Sequence, residues 1–320
     1  MNFQLHNYQP DIEDLKKVVI NGLQSSPKQL HPKFFYDEVG SKLFDKICEQ
    51  PEYYIPNVEG NIFDIYAAEI IDSMGENCTI IEPGAGSTKK VRFLLERMQN
   101  KAPAMYVPMD ISAEHLQNSA QQLARDYPNL SVHAVCVDHT KNFQLPSEIA
   151  ENNCVFFYPG SSLGNFKPPE AVAFLQSLRN KVSGDGALLI GIDTKKSAKV
   201  LNLAYNDKAG VTAAFNLNLL TRINSELGTN IDVNKFSHDA FYNQDKGRIE
   251  MHLVSKKEQT LYMLGHTFHF DKGETIHTEN SYKYSTDEFK SLVSKAGWNI
   301  EKVWLDDKQY FSVYFLRASD

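Results

Sequence analysis

The chain has 320 residues, 42% hydrophobic and 23% charged, which excludes intrinsic disorder, a collagen-like repeat and a disulfide miniprotein. With 33 Lys+Arg against 40 Asp+Glu the net charge is −7, so no basic stripe marks a nucleic-acid binder. No run of about 18 apolar residues marks a membrane span, and the opening MNFQLHNYQPDIEDLKK lacks the basic-then-apolar order of a signal peptide. Cys48, Cys78, Cys136 and Cys154 form no CxxC pair and read as free thiols. The expectation is a cytoplasmic protein without nucleic-acid or membrane partners. Its oligomeric state is open, with a monomer as the simplest case.

Three zones follow in chain order. From about Asp11 to Asn57 the pattern is helical but irregular, crowded with Phe34, Phe35, Tyr36, Phe44, Tyr53 and Tyr54. Asp11 is expected to cap a helix running into Leu15 and Val18, and Pro51 and Pro56 hold EYYI extended or turned. From Val58 to Thr194, short apolar runs alternate with helical stretches. The runs are CTIIEPG, AMYVPMD, LSVHAVCVD, NCVFFYPGSS and ALLIGID; the helices include KKVRFLLERMQ, AEHLQNSAQQLARDY and PPEAVAFLQSLRNKV. This alternation predicts βαβ units around a parallel sheet.

After Lys195 the alternation stops. AYNDKAGVTAAFNLNLLTRINSEL reads as one long helical stretch, and RIEMHLVSK with QTLYMLGHTFHF as strands forming a hairpin. TDEFKSLVSKAGW then predicts a helix with Thr286 as N-cap, and NIEKVWLDD and YFSVYFLRAS two closing strands, one an antiparallel edge. The expected architecture is α/β: a Rossmann-like domain at 58–194 plus 285–320, and a second lobe at 10–57 plus 195–284.

Four motifs carry chemistry. Glu82-Pro83-Gly84-Ala85-Gly86-Ser87-Thr88 follows the first run, where glycines let a backbone turn tightly and approach a ligand. It is neither GxGxxG nor a P-loop, but a strand ending E/D-x-G-x-G suits a class I methyltransferase sheet and its S-adenosylmethionine; alone, it is also often a mere turn. Asp110 ends the second run, where an acid accepts from ribose hydroxyls or simply precedes a helix. Asp138, beside His139, ends the third, in position for an adenine amino group.

Asn165 closes the glycine turn YPGSSLGNF after the fourth run and offers both a donor and an acceptor; the plain alternative is a turn before the Pro168 helix. Glu279-Asn280-Ser281 places a carboxylate and a hydroxyl two apart on a strand, on one face. Such a pair fits the two nitrogens of an imidazole, although a solvated strand end is the commoner meaning of the tetrapeptide TENS. His266 and His269 would point to opposite faces of a strand, no other Cys, His or carboxylate stands at a recognised metal spacing, and no metal is expected. No GxSxG or Cys/His signature suggests a covalent nucleophile.

Taken together, KFFYDEVGSKLFDKICEQPEYY, EPGAGSTKK, PMDIS, PGSSLGNF, AYNDKAGVTAAFNLNLL, RIEMHLVS and HTENSYKYS resemble the L-histidine Nα-methyltransferase family of ergothioneine biosynthesis. The resemblance runs from about Lys33 to the C-terminus. It implies transfer of three methyl groups from S-adenosylmethionine to the α-amine of L-histidine and its mono- and dimethyl forms, giving hercynine. It implies that Gly84, Gly86, Lys90, Asp110, Asp138 and His139 line the cofactor site. It further implies that Tyr53, Asn165 and Tyr205 hold the amino-acid end, and that Glu279 and Ser281, with Asn280 between them, hold the imidazole near Met251. Tyr36 would close over the methyl-transfer centre, with Tyr36 and Asn165 as the catalytic pair. His139 departs from the family pattern, which often has an aromatic residue there. The rival readings are a methyltransferase of the same family acting on another amine, and a non-catalytic S-adenosylmethionine-binding regulator.

Overall fold

Apolar runs that alternate with amphipathic helices are the pattern of a sheet covered on both faces, and the middle of the chain folds that way. The structure, a computed structural model, describes residues 2–8, 14–98, 103–141, 143–146, 149, 153–182 and 186–319. In chain order it begins with β1 (Phe3–Asn7), α1 (Leu15–Gln24), β2 (Lys28–Gln29), α2 (Glu38–Cys48), α3 (Ile55–Ile65) and α4 (Ala67–Met74). There follow β3 (Thr79–Pro83), α5 (Lys89–Met98), β4 (Met105–Asp110), α6 (Ala113–Asp126), β5 (Ser131–Cys136), β6 (Cys154–Tyr158), α7 (Pro168–Arg179) and β7 (Ala187–Asp193). Next come α8 (Ala198–Ala204), α9 (Val211–Leu227), β8 (Phe236–Asn243), β9 (Arg248–Ser255), β10 (Gln259–Met263), β11 (His266–Phe270) and β12 (Thr275–Tyr282). The chain closes with α10 (Thr286–Lys295), β13 (Trp298–Leu305) and β14 (Phe311–Ala318). Two compact units emerge: unit 1 is Met1–Ile12, Asn57–Thr194 and Tyr284–Asp320, and unit 2 is Glu13–Pro56 and Lys195–Lys283.

Unit 1 is built on an eight-stranded sheet in the order β1-β5-β4-β3-β6-β7-β14-β13. Every residue of β3, β6 and β7 is buried, so these strands are predominantly apolar rather than alternating, with Thr79, Glu82 and Asp193 as buried polar exceptions. The helices bury one stripe each: Val91, Leu94 and Met98 on α5, Leu116, Ala120 and Leu123 on α6. From β3 the chain steps to β4 and β5 on one side, then returns to β6 and β7 on the other. That reversal puts a switch point at the carboxyl ends of β3 and β6, where open α/β sheets bind ligands. β14 runs antiparallel to both β7 and β13, so the antiparallel strand lies inside the sheet and β13 is its edge. β1 adds a parallel strand beyond β5 that the sequence pattern leaves unassigned, because its short, half-exposed FQLHN carries no apolar run. The cap of α10 is Ser285 rather than Thr286: its side chain accepts from the Glu288 backbone while Glu288 accepts from the Ser285 backbone.

Unit 2 is a four-stranded sheet in the order β2-β12-β9-β8, with α9 packed against β8, β9 and α2. The expected hairpin between RIEMHLVSK and QTLYMLGHTFHF does not form. β9 pairs with β8 and β12, and QTLYM and HTFHF pair with each other as β10 and β11. The stretch expected as one long helix from Ala204 is helical only from Val211: Ala204 is the last residue of α8, residues 205–210 are not helical, and the Asp207 carboxylate takes the backbone N–H groups of Val211 (2.8 Å) and Thr212 (2.7 Å) to start α9. The break leaves Tyr205 at the end of α8. Asp14 caps α1 through the Lys16 N–H, while the expected cap Asp11 lies outside the described residues. No helix among the described residues is long and apolar enough to cross a membrane.

Candidate active site

At the switch point of unit 1, the loop after β3 carries three left-handed residues: Gly84 (φ +70), Gly86 (φ +52) and Thr88 (φ +54). A Cβ on Gly84 would stand 3.2 Å from the His139 ring, so the loop and that ring are in close contact. Asp110, at the tip of β4, braces the loop. It accepts from the Gly86 N–H at 3.2 Å and, through its other oxygen, from the Ser112 N–H at 3.0 Å. Asp138, just beyond β5, is held by the Thr140 N–H (3.1 Å) and hydroxyl (2.6 Å). Burial lowers the His139 pKa against the opposing pull of Asp110 and Asp138, so the ring is neutral at pH 7. Its Nδ1 is buried without a hydrogen-bond partner.

Lys90 opens α5 and reaches the turn after β6, where its Nζ would stand 2.1 Å from a Cβ on Gly160. Gly160 (φ +77) and Ser161 (φ +58) are both left-handed, and the short 3-10 turn Ser162–Asn165 brings half-buried Asn165 to its end. The Ser161 hydroxyl accepts from the Asp193 N–H at 2.9 Å, fixing this turn to the end of β7.

Sequence reasoning missed Glu59. Its Oε1 accepts from the Gly160 N–H at 2.7 Å, and the Lys90 cation opposes the upward push of burial on its pKa. The signal is an acid in the buried stripe of α3 with Ile62 and Phe63, a core position that an acid takes when it has a partner. Glu82 is also buried; burial raises its carboxyl to about 7, and Tyr106 donates to it at 2.7 Å.

In unit 2, the residues of interest meet on one face of the β9–β12 ladder. A bulge at Thr278 shifts the register, so that His277 stands opposite His252 but Glu279 stands opposite Met251 and Ser281 opposite Ile249. Without the extra residue, strand alternation would put His277 and Glu279 on the same face. With it, Glu279 and Ser281 join buried Met251 on the face toward α9, and His277 joins the other. Thr278 pins the bulge with its hydroxyl, 2.9 Å from Asn216 and 3.0 Å from the Met251 carbonyl.

Tyr205 donates to Ser281 Oγ at 2.8 Å, and the buried Lys283 donates to Ser281 Oγ at 2.8 Å and to the Tyr205 oxygen at 3.2 Å. Burial pushes the Glu279 carboxyl up to about 7, against the opposing pull of Lys283. Tyr53 packs edge-on to Tyr205 with centroids 6.1 Å apart, and burial, then the neighbouring Tyr205, hold its phenol well above the ordinary range. Tyr36 is 44% exposed and edge-on to Phe44 and Phe215, each 5.7 Å away. Asn280 is not brought to the pair. It stands opposite Glu250 on the other face, with its side-chain oxygen buried and unpartnered. Lys283 was missed, although the alternation Glu279, Ser281, Lys283 marks it for the same face.

The other face holds a cluster that spacing did not suggest: Glu250, His252 and His277 have ligand-type atoms within 4.8 Å of one another. Its geometry is that of a stack. The two imidazoles lie 4.7 Å apart at 15° and Phe241 stacks on His252, which sends the in-plane lone pairs side by side instead of to one point. Glu250 Oε1 is taken by Arg248 at 2.6 Å. His266 and His269 join no such cluster among the described residues.

A family model described as histidine-specific methyltransferase, SAM-dependent, matches residues 15–318. The histidine N-alpha-methyltransferase of Mycolicibacterium smegmatis is 35% identical over 312 residues, covering 96% of each chain. That of Mycobacterium tuberculosis is 36% identical over 303 residues, covering 93% of each. Ergothioneine biosynthesis protein 1 of Schizosaccharomyces pombe is 27% identical over 299 residues, which cover 90% of this chain and 39% of that protein.

Proposed function

Because the chain belongs to the histidine-specific, S-adenosylmethionine-dependent methyltransferase family, we propose that unit 1 holds the cofactor and unit 2 reads the imidazole of histidine. The enzyme is an N-methyltransferase of histidine, and the reading extends to three successive methylations of the α-amine, ending at hercynine. The observation that carries it is the bulge at Thr278, which turns Glu279 and Ser281 to one face beside Met251 and Tyr205. Cys78 and Cys136, buried as thiols, support a cytoplasmic setting.

The strand ends of unit 1 fit the cofactor. Gly84 and Gly86 leave the loop backbone open to close approach, Asp110 keeps lone pairs for ribose hydroxyls, and Asp138 is an acceptor for the adenine amino group. His139, neutral and with a buried unpartnered Nδ1, offers a ring edge where the family often has an aromatic residue. When bound, S-adenosylmethionine supplies an electrophilic sulfonium methyl.

The protein's own task is to orient the amine lone pair along the line of displacement, which is catalysis by proximity. Tyr53, Asn165 and Tyr205 are the proposed holders of the amino-acid end. Tyr53 stays a neutral phenol because its pKa is high. Neutral hydrogen-bonding groups suit an amine that becomes a permanent cation, since a fixed carboxylate would retain the product. The tyrosine rings of Tyr36 and Tyr53 favour that cation through their π faces.

The test is calorimetric titration of histidine, phenylalanine, tryptophan and leucine in the presence of S-adenosylhomocysteine. Histidine is expected to bind far more tightly than the other three. Equal binding of phenylalanine would refute the imidazole reading.

A further inference from the structure

We propose that Lys283 is a positioning residue that makes the enzyme select the neutral ring of histidine, by locking Ser281 as a hydrogen-bond donor and balancing the charge of Glu279. The inference rests on the reading of Glu279 and Ser281 as the imidazole partners.

Lys283 is 1% exposed, and its backbone N–H is tied to the Gly247 carbonyl at 2.9 Å. An ammonium can only donate. Ser281 Oγ and the Tyr205 oxygen therefore each accept from it, at 2.8 and 3.2 Å. The remaining bond, Tyr205 to Ser281 at 2.8 Å, has the phenol as donor, because a phenol is the more acidic of two hydroxyls. Two donors then fill both lone pairs of Ser281 Oγ. What Ser281 has left for a ligand is its own proton.

A neutral imidazole carries one N–H and one bare nitrogen, and it matches this arrangement: N–H to the Glu279 carboxylate, bare nitrogen to the Ser281 hydroxyl. An imidazolium presents two N–H groups, and the second would meet Ser281 with no lone pair to receive it. Charge points the same way. Glu279 and Lys283 already balance one another, so a neutral ring leaves the group neutral and a cation does not.

The other titratable groups around this cluster do not reverse the argument. Tyr53, from the N-terminal segment, packs edge-on to Tyr205, and its phenol is pushed up by burial, then by Tyr205, Cys48, Tyr36 and Glu279. His238 on β8 bonds the Tyr205 carbonyl, with its pKa lowered by burial. Lys195 lies against Gly247. The strand residues opposite, Ile249 and Met251, carry no charge, while Arg248, Glu250 and His252 alternate onto the other face.

Proton linkage separates this role from a purely structural one. Histidine is titrated into wild type and Lys283→Met, each with S-adenosylhomocysteine bound, in buffers of different ionisation enthalpy at about pH 5.5, where a free imidazole of pKa about 6.5 is mostly charged. At this pH the free Glu279 carboxyl is protonated and gives up its own proton to accept the ring N–H in either protein, so that release is common to both. Without Lys283, Ser281 regains a lone pair and the ionised Glu279 has no cation to balance it, so the charged ring binds as it is. Lys283→Met is expected to release about one proton fewer per histidine than wild type, and Lys283→Arg, which keeps the cation, to match wild type. Equal proton release in wild type and Lys283→Met would overturn the proposal. If Lys283→Met fails to bind S-adenosylhomocysteine, wild type decides: its histidine affinity must rise at least about tenfold between about pH 5.5 and 7.5, the imidazole's own share, with the ionisation of Glu279 adding to it, and a flat or falling affinity would overturn it. Glu279→Gln separates the two readings. If it keeps the wild-type preference for histidine over phenylalanine, the imidazole reading itself fails. If that preference is lost while Lys283→Met still releases the wild-type number of protons, the role of Lys283 alone is refuted.

Discussion

Each unit holds a carboxylate pushed by burial up to about 7, Glu82 in unit 1 and Glu279 in unit 2, yet their surroundings give them different tasks. Glu82 is 2% exposed and bonded to Tyr106 of the neighbouring strand, which makes it part of the scaffold under the glycine loop. Glu279 shares its face with the Ser281 hydroxyl and the Lys283 ammonium, a set with hydrogen-bonding capacity left for a ligand. The contrast extends to the candidate site of each unit. Unit 1 presents backbone: left-handed glycines, strand tips, and carboxylates that brace N–H groups. Unit 2 presents side chains, aimed by one bulge in a strand. A cofactor with many hydrogen-bonding atoms suits a backbone cradle, and a ring that must be told from other rings suits side chains.

The largest effect that would break this contrast is on selectivity. In Glu279→Ala/Ser281→Ala, the lead of histidine over phenylalanine should collapse, by up to roughly 10⁴-fold if the pair reads the ring. Competition assays measure this, and Glu82→Gln should leave the lead unchanged. Next comes Asp110→Ala, expected to weaken S-adenosylhomocysteine binding by about 1.5–3 kcal/mol, the scale of hydrogen bonds to a charged acceptor. Titration showing unchanged cofactor affinity would remove Asp110 from the site.

Stability against pH sharpens the comparison of the two acids. A carboxyl raised from 4.5 to about 7 in the folded protein is equally protonated in both states below 4.5. It binds more protons when folded between 4.5 and 7, so stability falls through that window, with the full cost present above 7. Glu279→Gln should therefore gain stability relative to wild type as pH rises through the window, by ~1–3 kcal/mol, and nothing below it. Thermal melts across the range read the difference. The smallest effect is Gly86→Ala. A Cβ there meets no atom within 4 Å, so its cost is the left-handed backbone alone, about 1 kcal/mol, seen as a slightly lower melting temperature.

Much of unit 1 was legible in the sequence because its signals are local. CTIIEPG and AMYVPMD each carry a strand and its candidate functional tip in one short run, and the observed strands Thr79–Pro83 and Met105–Asp110 fall within them. Glu59 was not legible as a site residue, since its partner Gly160 lies 101 residues away. Unit 2 was harder. Alternation correctly pairs Glu279 with Ser281, but it does not announce the bulge that separates them from His277, and it leaves Asn280 on the opposite face. The pairing of β9 with β8 and β12 depends on strands distant in the chain, and β8, FSHDAFYN, lacks clean alternation. Lys283 shares the period of Glu279 and Ser281, but a lysine on a strand usually faces water, so alternation alone does not mark it as a site residue.

Methylation of the α-nitrogen of histidine to completion is the activity proposed for this chain. Its most direct test is mass spectrometry of a reaction containing the purified protein, histidine and excess S-adenosylmethionine, followed to its end. Trimethylated histidine, with all three methyl groups on the α-nitrogen, is expected to dominate. A reaction that stops at the monomethyl form, or places a methyl on the ring, would contradict it.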